Sequence, residues 1–272
     1  MLKNVFEVGD NMHMNIDHKH DEETDRLWRK SEESPFIRGL KSGQTMAEVM
    51  SQLDSQKVFE KSPKVLGCSD GRCQEHRLGM AGNGILLSEW ELDEFVNKNK
   101  GQISMVMSHE GCGAAALEYE RKKKAGESLP EGVVTADDFG IYHSKNLAKR
   151  LGAEYSHTKA CDMSGKVHNE RAIYLDGKSG VNPKAIPGLP AGFICSGPAM
   201  GLDSSYMRKE IETLASIALG DHGFGERFNK DNPLYIVVSA ESEEQLKKLK
   251  EEANKAAEKF NGRLAVDGFL AK

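Results

Sequence analysis

Residues 65–73 read VLGCSDGRC, residues 81–84 AGNG, and residues 103–115 ISMVMSHEGCGAA. Two short apolar runs stand out: Lys64–Gly67, leading to Cys68, and Ile103–Met107, leading to His109. Both have the pattern of a buried strand. Between them Leu92, Phe95 and Val96 repeat at helical spacing behind a Ser88–Glu91 capping box. Strand, helix, strand is the unit of a parallel sheet, whose carboxyl ends form a rim where ligands gather. Cys68, His109 and Cys112 are therefore expected on one rim, the last two at the turn where strand becomes helix. Two thiols and one imidazole form a donor set suited to zinc.

The alternation continues toward the carboxyl end. A helix is expected from about Ala114 to Lys124, stopped by Gly126, and another from Thr135 to Gly152. Ala153–His157, Ala172–Leu175, Phe193–Cys195, Leu234–Val238 and Arg263–Val266 read as strands. A helix starting at Asp203 carries Met207, Ile211, Leu214 and Ala218 on one face, and Ser242 with Gln245 caps the next. The expected class is α/β, a mainly parallel sheet with helices on both faces. On the amino-terminal side, helical patterns cover Asp25–Trp28 and Thr45–Phe59, the second behind a Thr45–Glu48 capping box. Residues 1–60 are read as a helical arm packed on the sheet or on a partner subunit, and 61–272 as the zinc-binding α/β domain.

The net charge of −5 favours neither nucleic acid nor an anionic membrane as a partner. No apolar run approaches the ~20 residues that span a bilayer, and the first 23 residues contain no apolar signal core, so a cytoplasmic protein is expected. Five cysteines, odd in number and widely spaced, argue against a disulfide framework and leave metal binding as their default role.

Three protein ligands leave a tetrahedral zinc one open position, where water becomes acidic enough to attack an electrophilic carbon. Asp70 and Arg72 follow the first ligand closely. Asp70 is suited to accept a hydrogen bond from the attacking oxygen, and Arg72 to hold Asp70 ionised and in place. Asp70 is equally able to fill the fourth position and close the site.

The pair Cys68-Ser69-Asp70-Gly71-Arg72 and His109-Glu110-Gly111-Cys112-Gly113 resembles the C-x-D-x-R and H-x-x-C motifs of the β-class carbonic anhydrases, and Ala81-Gly82-Asn83 resembles the turn between them. The resemblance covers about residues 55–118. It implies a β-carbonic-anhydrase-like fold and a Zn2+ site on Cys68, His109 and Cys112. It also implies Asp70 and Arg72 as the catalytic dyad, and the Gly113 amide beside the substrate. The implied reaction is reversible hydration of carbon dioxide to bicarbonate, in a homodimer or higher homo-oligomer. The chain departs from the family in carrying Gly71 where serine is usual, and in a shorter interval between the motifs, lost mainly between Arg72 and Ala81. Two other readings compete: a zinc hydrolase for carbonyl sulfide, carbon disulfide or a small ester or amide, and an inactive zinc-closed scaffold that binds a partner.

Other features read as structural. Gly79, Gly82 and Gly84 lack the spacing of a phosphate loop and suggest a tight turn. His13, His18 and His20 read as surface histidines, and Cys68 with Cys73 does not have redox-motif spacing. Cys161 with His157 has no third ligand in view, Cys195 reads as a small buried hydrophobe, and His222 as a residue at a helix end.

Overall fold

The computed structural model describes residues 18–53, 65–71, 78–158, 168–178, 183–221 and 223–271. In chain order, α1 is His18–Glu32, α2 Pro35–Lys41, α3 Met46–Gln52, β1 Val65–Gly67, β2 Leu78–Gly79, α4 Glu89–Asn99, β3 Met105–His109 and α5 Gly113–Lys124. Then follow α6 Ala136–Leu151, β4 Glu154–Thr158, β5 Ala172–Asp176, β6 Gly192–Cys195, α7 Ser204–Ala218, β7 Leu234–Ala240, α8 Glu243–Ala257 and β8 Leu264–Leu270. The helix starts follow their caps. Thr45, Ser88 and Thr135 each complete a capping box with Glu48, Glu91 and Asp138, while Asp203 and Ser242 accept first-turn amides of α7 and α8.

The fold is α/β with parallel pairing throughout, and the strands divide into two four-stranded sheets, β2-β1-β3-β4 and β6-β5-β7-β8. The two sheets meet edge to edge. Ile194 N–H donates to Ser69 O at 2.9 Å and Ser196 N–H to Gly79 O at 2.8 Å. Two glycines permit that approach. A Cβ on Gly71 would lie 2.1 Å from the Gly192 carbonyl oxygen, and one on Gly79 2.4 Å from that of Ile194. This gives a physical reason for glycine at position 71, where a serine Cβ would collide with the neighbouring strand.

Strands β5 and β7 are buried on both faces, as their unbroken apolar runs require. Ile173, Leu175, Ile236 and Val238 join a core shared with Leu66 and Val106 of the first sheet and with α7. Ala172, Tyr174, Tyr235 and Val237 face the opposite way, against Phe36 and Ile37 of α2 and Met46, Val49 and Met50 of α3. The arm therefore packs on this chain's own second sheet. Its third helix ends at Gln52, where Leu53 leaves the helical region at ψ 147°, and residues 54–59 of the expected helical stretch lie outside the described residues. Helix α2 was not anticipated, although Ser34 as cap and Pro35 in the first turn are its signal. At the end of α1, Arg171 stacks over the Trp28 ring at 3.7 Å and binds Glu32, joining the arm to the entry of β5. Among the described residues no helix is long and apolar enough to cross a membrane.

Candidate metal centre

The parallel register of β1 and β3 pairs Gly67 with Met107, so both strands finish at the same rim. Cys68 directly follows β1. Strand β3 runs on to His109, two residues past the expected end at Met107, because pairing with β4 extends to His109 opposite Thr158. Gly111 then turns the chain at φ 67°, a region that favours glycine, and Cys112 caps α5. The short path from strand to helix thus returns Cys112 to His109 and Cys68.

The three side chains are buried, and their ligand atoms all lie within 4.8 Å of one another. Cys68 Sγ and Cys112 Sγ are 3.7 Å apart. This is far beyond a disulfide bond, whereas two thiolates on a tetrahedral zinc, with Zn–S bonds of ~2.3 Å, stand ~3.8 Å apart. The Nδ1 of His109 lies 2.8 Å from the Glu110 carbonyl oxygen, which can only accept, so Nδ1 carries a proton and Nε2 is left as the ligand nitrogen. Nε2 is buried on the side of the Cys68 sulfur, whose interaction with the imidazole raises the His109 pKa. Gly82 N–H donates to Cys68 Sγ at 3.4 Å, an interaction that favours thiolate.

The electrostatics are those of a site in which protons stand where a cation would. A hydrogen bond with Cys112 holds the Cys68 thiol well below its ordinary range, against the opposing effect of burial. The Cys112 thiol is pushed well above it, first by that same bond to Cys68 and then by burial. Burial alone would lower His109, but the neighbouring Cys68 sulfur and the Asp70 charge raise it to about 9. A bound dication would remove the conflict, letting both thiols ionise and displacing protons. The residues present therefore fit a bound metal ion.

Asp70 is buried on the same rim, where its charge favours the imidazolium and opposes ionisation of both thiols. Gly113 opens α5, and a Cβ there would stand 3.2 Å from Ile217 Cδ1 of α7. Arg72, Cys73, Cys161, His13 and His222 lie outside the described residues. His157 on β4 is engaged with Ser108 Oγ at 2.9 Å. The glycine turn is tight as expected, with Gly82 at φ 53° and Gly84 at φ 81°. Within it Asn83 Nδ2 donates to Met107 O and Ser144 Oγ, tying the turn to β3 and α6.

Three residues of the second half escaped the sequence reading. Glu210 of α7 is fully buried behind the rim and accepts from Ser69 Oγ at 3.0 Å and from Ala81 N–H at 2.5 Å. Burial is the main reason its carboxyl is raised to about 7. The signal for it was an acid inside the apolar stripe of Met207, Ile211 and Leu214. His168 and Glu170 form a buried group with Asp70, and they belong to no motif. No protein-family model matches the chain, and no curated protein and no solved structure matches it either.

Proposed function

We propose that this chain is a zinc-dependent enzyme interconverting carbon dioxide and bicarbonate, with Cys68, His109 and Cys112 as metal ligands. The single observation that carries the reading is the 3.7 Å sulfur separation, the spacing of two thiolates on tetrahedral zinc, beside the buried His109 imidazole. The paired motifs around Cys68 and His109, similar to those of β-class carbonic anhydrases, supply the reaction. Zinc held there would act as a Lewis acid and make a water molecule nucleophilic near neutral pH.

The chain's own residues supply orientation. A carboxylate accepts but does not donate, so Asp70 takes the hydrogen bond of the attacking O–H and turns an oxygen lone pair toward the carbon of carbon dioxide. Arg72 is assigned to keep Asp70 ionised. The Gly113 amide, at the positive end of α5, is suited to the oxygen on which charge develops. The balanced reaction is carbon dioxide plus water giving bicarbonate and a proton, which leaves to solvent. A homodimer or larger homo-oligomer in the cytoplasm accompanies this reading, and a solution mass measurement tests the assembly.

The decisive assay is stopped-flow carbon dioxide hydration by protein of measured zinc content. The expected result is a rate well above that of buffer, with Cys112→Ala losing zinc and rate together. Fully zinc-loaded protein that does not hydrate carbon dioxide would overturn the proposal. Turnover of carbonyl sulfide or a small ester by that same protein would move the assignment to hydrolysis.

A further inference from the structure

Asp70 faces a second group of donors. Its carboxylate converges with His168 and Glu170, with the ligand atoms of all three within 4.8 Å of one another and every member buried. The side chains of His168 and Glu170 are 8% and 0% exposed. Both lie on the segment entering β5, and the His168 ring packs on Phe193 of β6 at 5.6 Å. The intervening edge contact between sheets, Ile194 N–H to Ser69 O, brings that segment to the rim loop. The neighbouring Arg171 reaches away, to Glu32 and Trp28 of α1.

We propose that Asp70, His168 and Glu170 form a second divalent-cation site, distinct from the sulfur cluster in its ligands but sharing Asp70 with the reaction proposed there. His168 Nδ1 and Glu170 Oε2 are hydrogen-bonded at 3.2 Å. Adjacent ligands on an octahedral ion with bonds of ~2.1 Å are ~3.0 Å apart, so the pair already has near-ligand spacing. Two carboxylates and one imidazole, with no sulfur, favour an oxygen- and nitrogen-preferring first-row ion such as Mn2+. Calcium, which takes more oxygen ligands than two side chains provide, is disfavoured. An ion here fastens the rim loop of the first sheet to the entry of β5 in the second. It also occupies the carboxylate that the hydration reading assigns to the attacking water, so its presence bears on turnover.

The test is a Mn2+ titration of the full-length protein as purified, with its zinc content measured before and after and free Mn2+ counted by electron paramagnetic resonance. The expected result is one bound Mn2+ per chain with a histidine nitrogen coupling in the pulsed spectrum. His168→Ala should abolish that coupling. His168→Ala and Glu170→Gln should each weaken Mn2+ binding at least about tenfold, in the range typical of disturbed metal sites, with zinc content unchanged. Binding that is absent, that lacks nitrogen coupling, or that is as tight in both variants as in wild type would overturn the site. Should His168→Ala fail to fold, the isosteric Glu170→Gln and the wild-type spectrum still decide. Cys112→Ala separates the two centres, because it should lose zinc and keep Mn2+.

Discussion

The first sheet is small and carries the candidate metal cluster, whereas the second is large and carries much of the core. Strands β1 and β2 contribute three and two residues, while β7 and β8 contribute seven each. The first sheet ends in glycine turns and a rim of buried cysteine, histidine and aspartate. The second is enclosed between α7 and α8 on one face and the arm helices on the other. A rim of buried polar groups is costly to hold in place. This chain anchors its rim from outside, through Glu210 of α7 and the edge of β6, rather than through the short strands that lead to Cys68 and His109.

The strongest challenge to this division is removal of the arm's anchor. Phe36 is fully buried against the second sheet and meets the Tyr235 ring edge-on. Phe36→Ala should cost about 3–5 kcal/mol in urea unfolding, the usual range for a large core truncation. Metal content of the folded fraction should stay as in wild type. Loss of metal at temperatures where the fold persists would show that the two sheets are not separable in this way.

Glu210 tests the anchoring itself. Its folded carboxyl is raised to about 7 from an ordinary 4.5, mainly by burial. Between those values the folded state holds a proton that the unfolded state releases. Its contribution to stability is thus full below the unfolded value, falls as pH rises through this window and levels off above it. The integrated effect is about 3 kcal/mol. Glu210→Gln has no such titration, so the stability difference between wild type and variant should change by that order from pH 4.5 to 7.5. A difference that does not vary with pH would remove Glu210 from the account.

The smallest expected effect is at the seam. Gly71→Ala forces a methyl group against the Gly192 carbonyl and should cost about 1–3 kcal/mol, as overpacking does. A neutral substitution would mean that the edge contact between the sheets yields freely.

Much of this was legible locally. The caps at Thr45, Ser88, Thr135, Asp203 and Ser242 are short-range devices, and each begins a helix where its spacing says. Cys68, His109 and Cys112 were readable because one strand–helix–strand unit carries all three, and parallel pairing brings its strand ends together. Helix α2 was legible too, since Ser34-Pro35 is a start signal, but its apolar residues are too few to form a periodic stripe.

What chain order could not supply was everything that depends on the two sheets meeting. Glu210 and the His168–Glu170 pair lie far along the chain from the rim they face, and no spacing rule links them to it. The sequence by itself determined the class of fold, the helix boundaries set by caps and the sulfur–imidazole cluster, because local hydrogen bonding and period decide those. Only the tertiary structure decided that the strands form two sheets and that Gly71 lies at their seam. It alone brought Asp70 to His168 and Glu170, because those outcomes follow from backbone contact across the seam between the two halves of the chain.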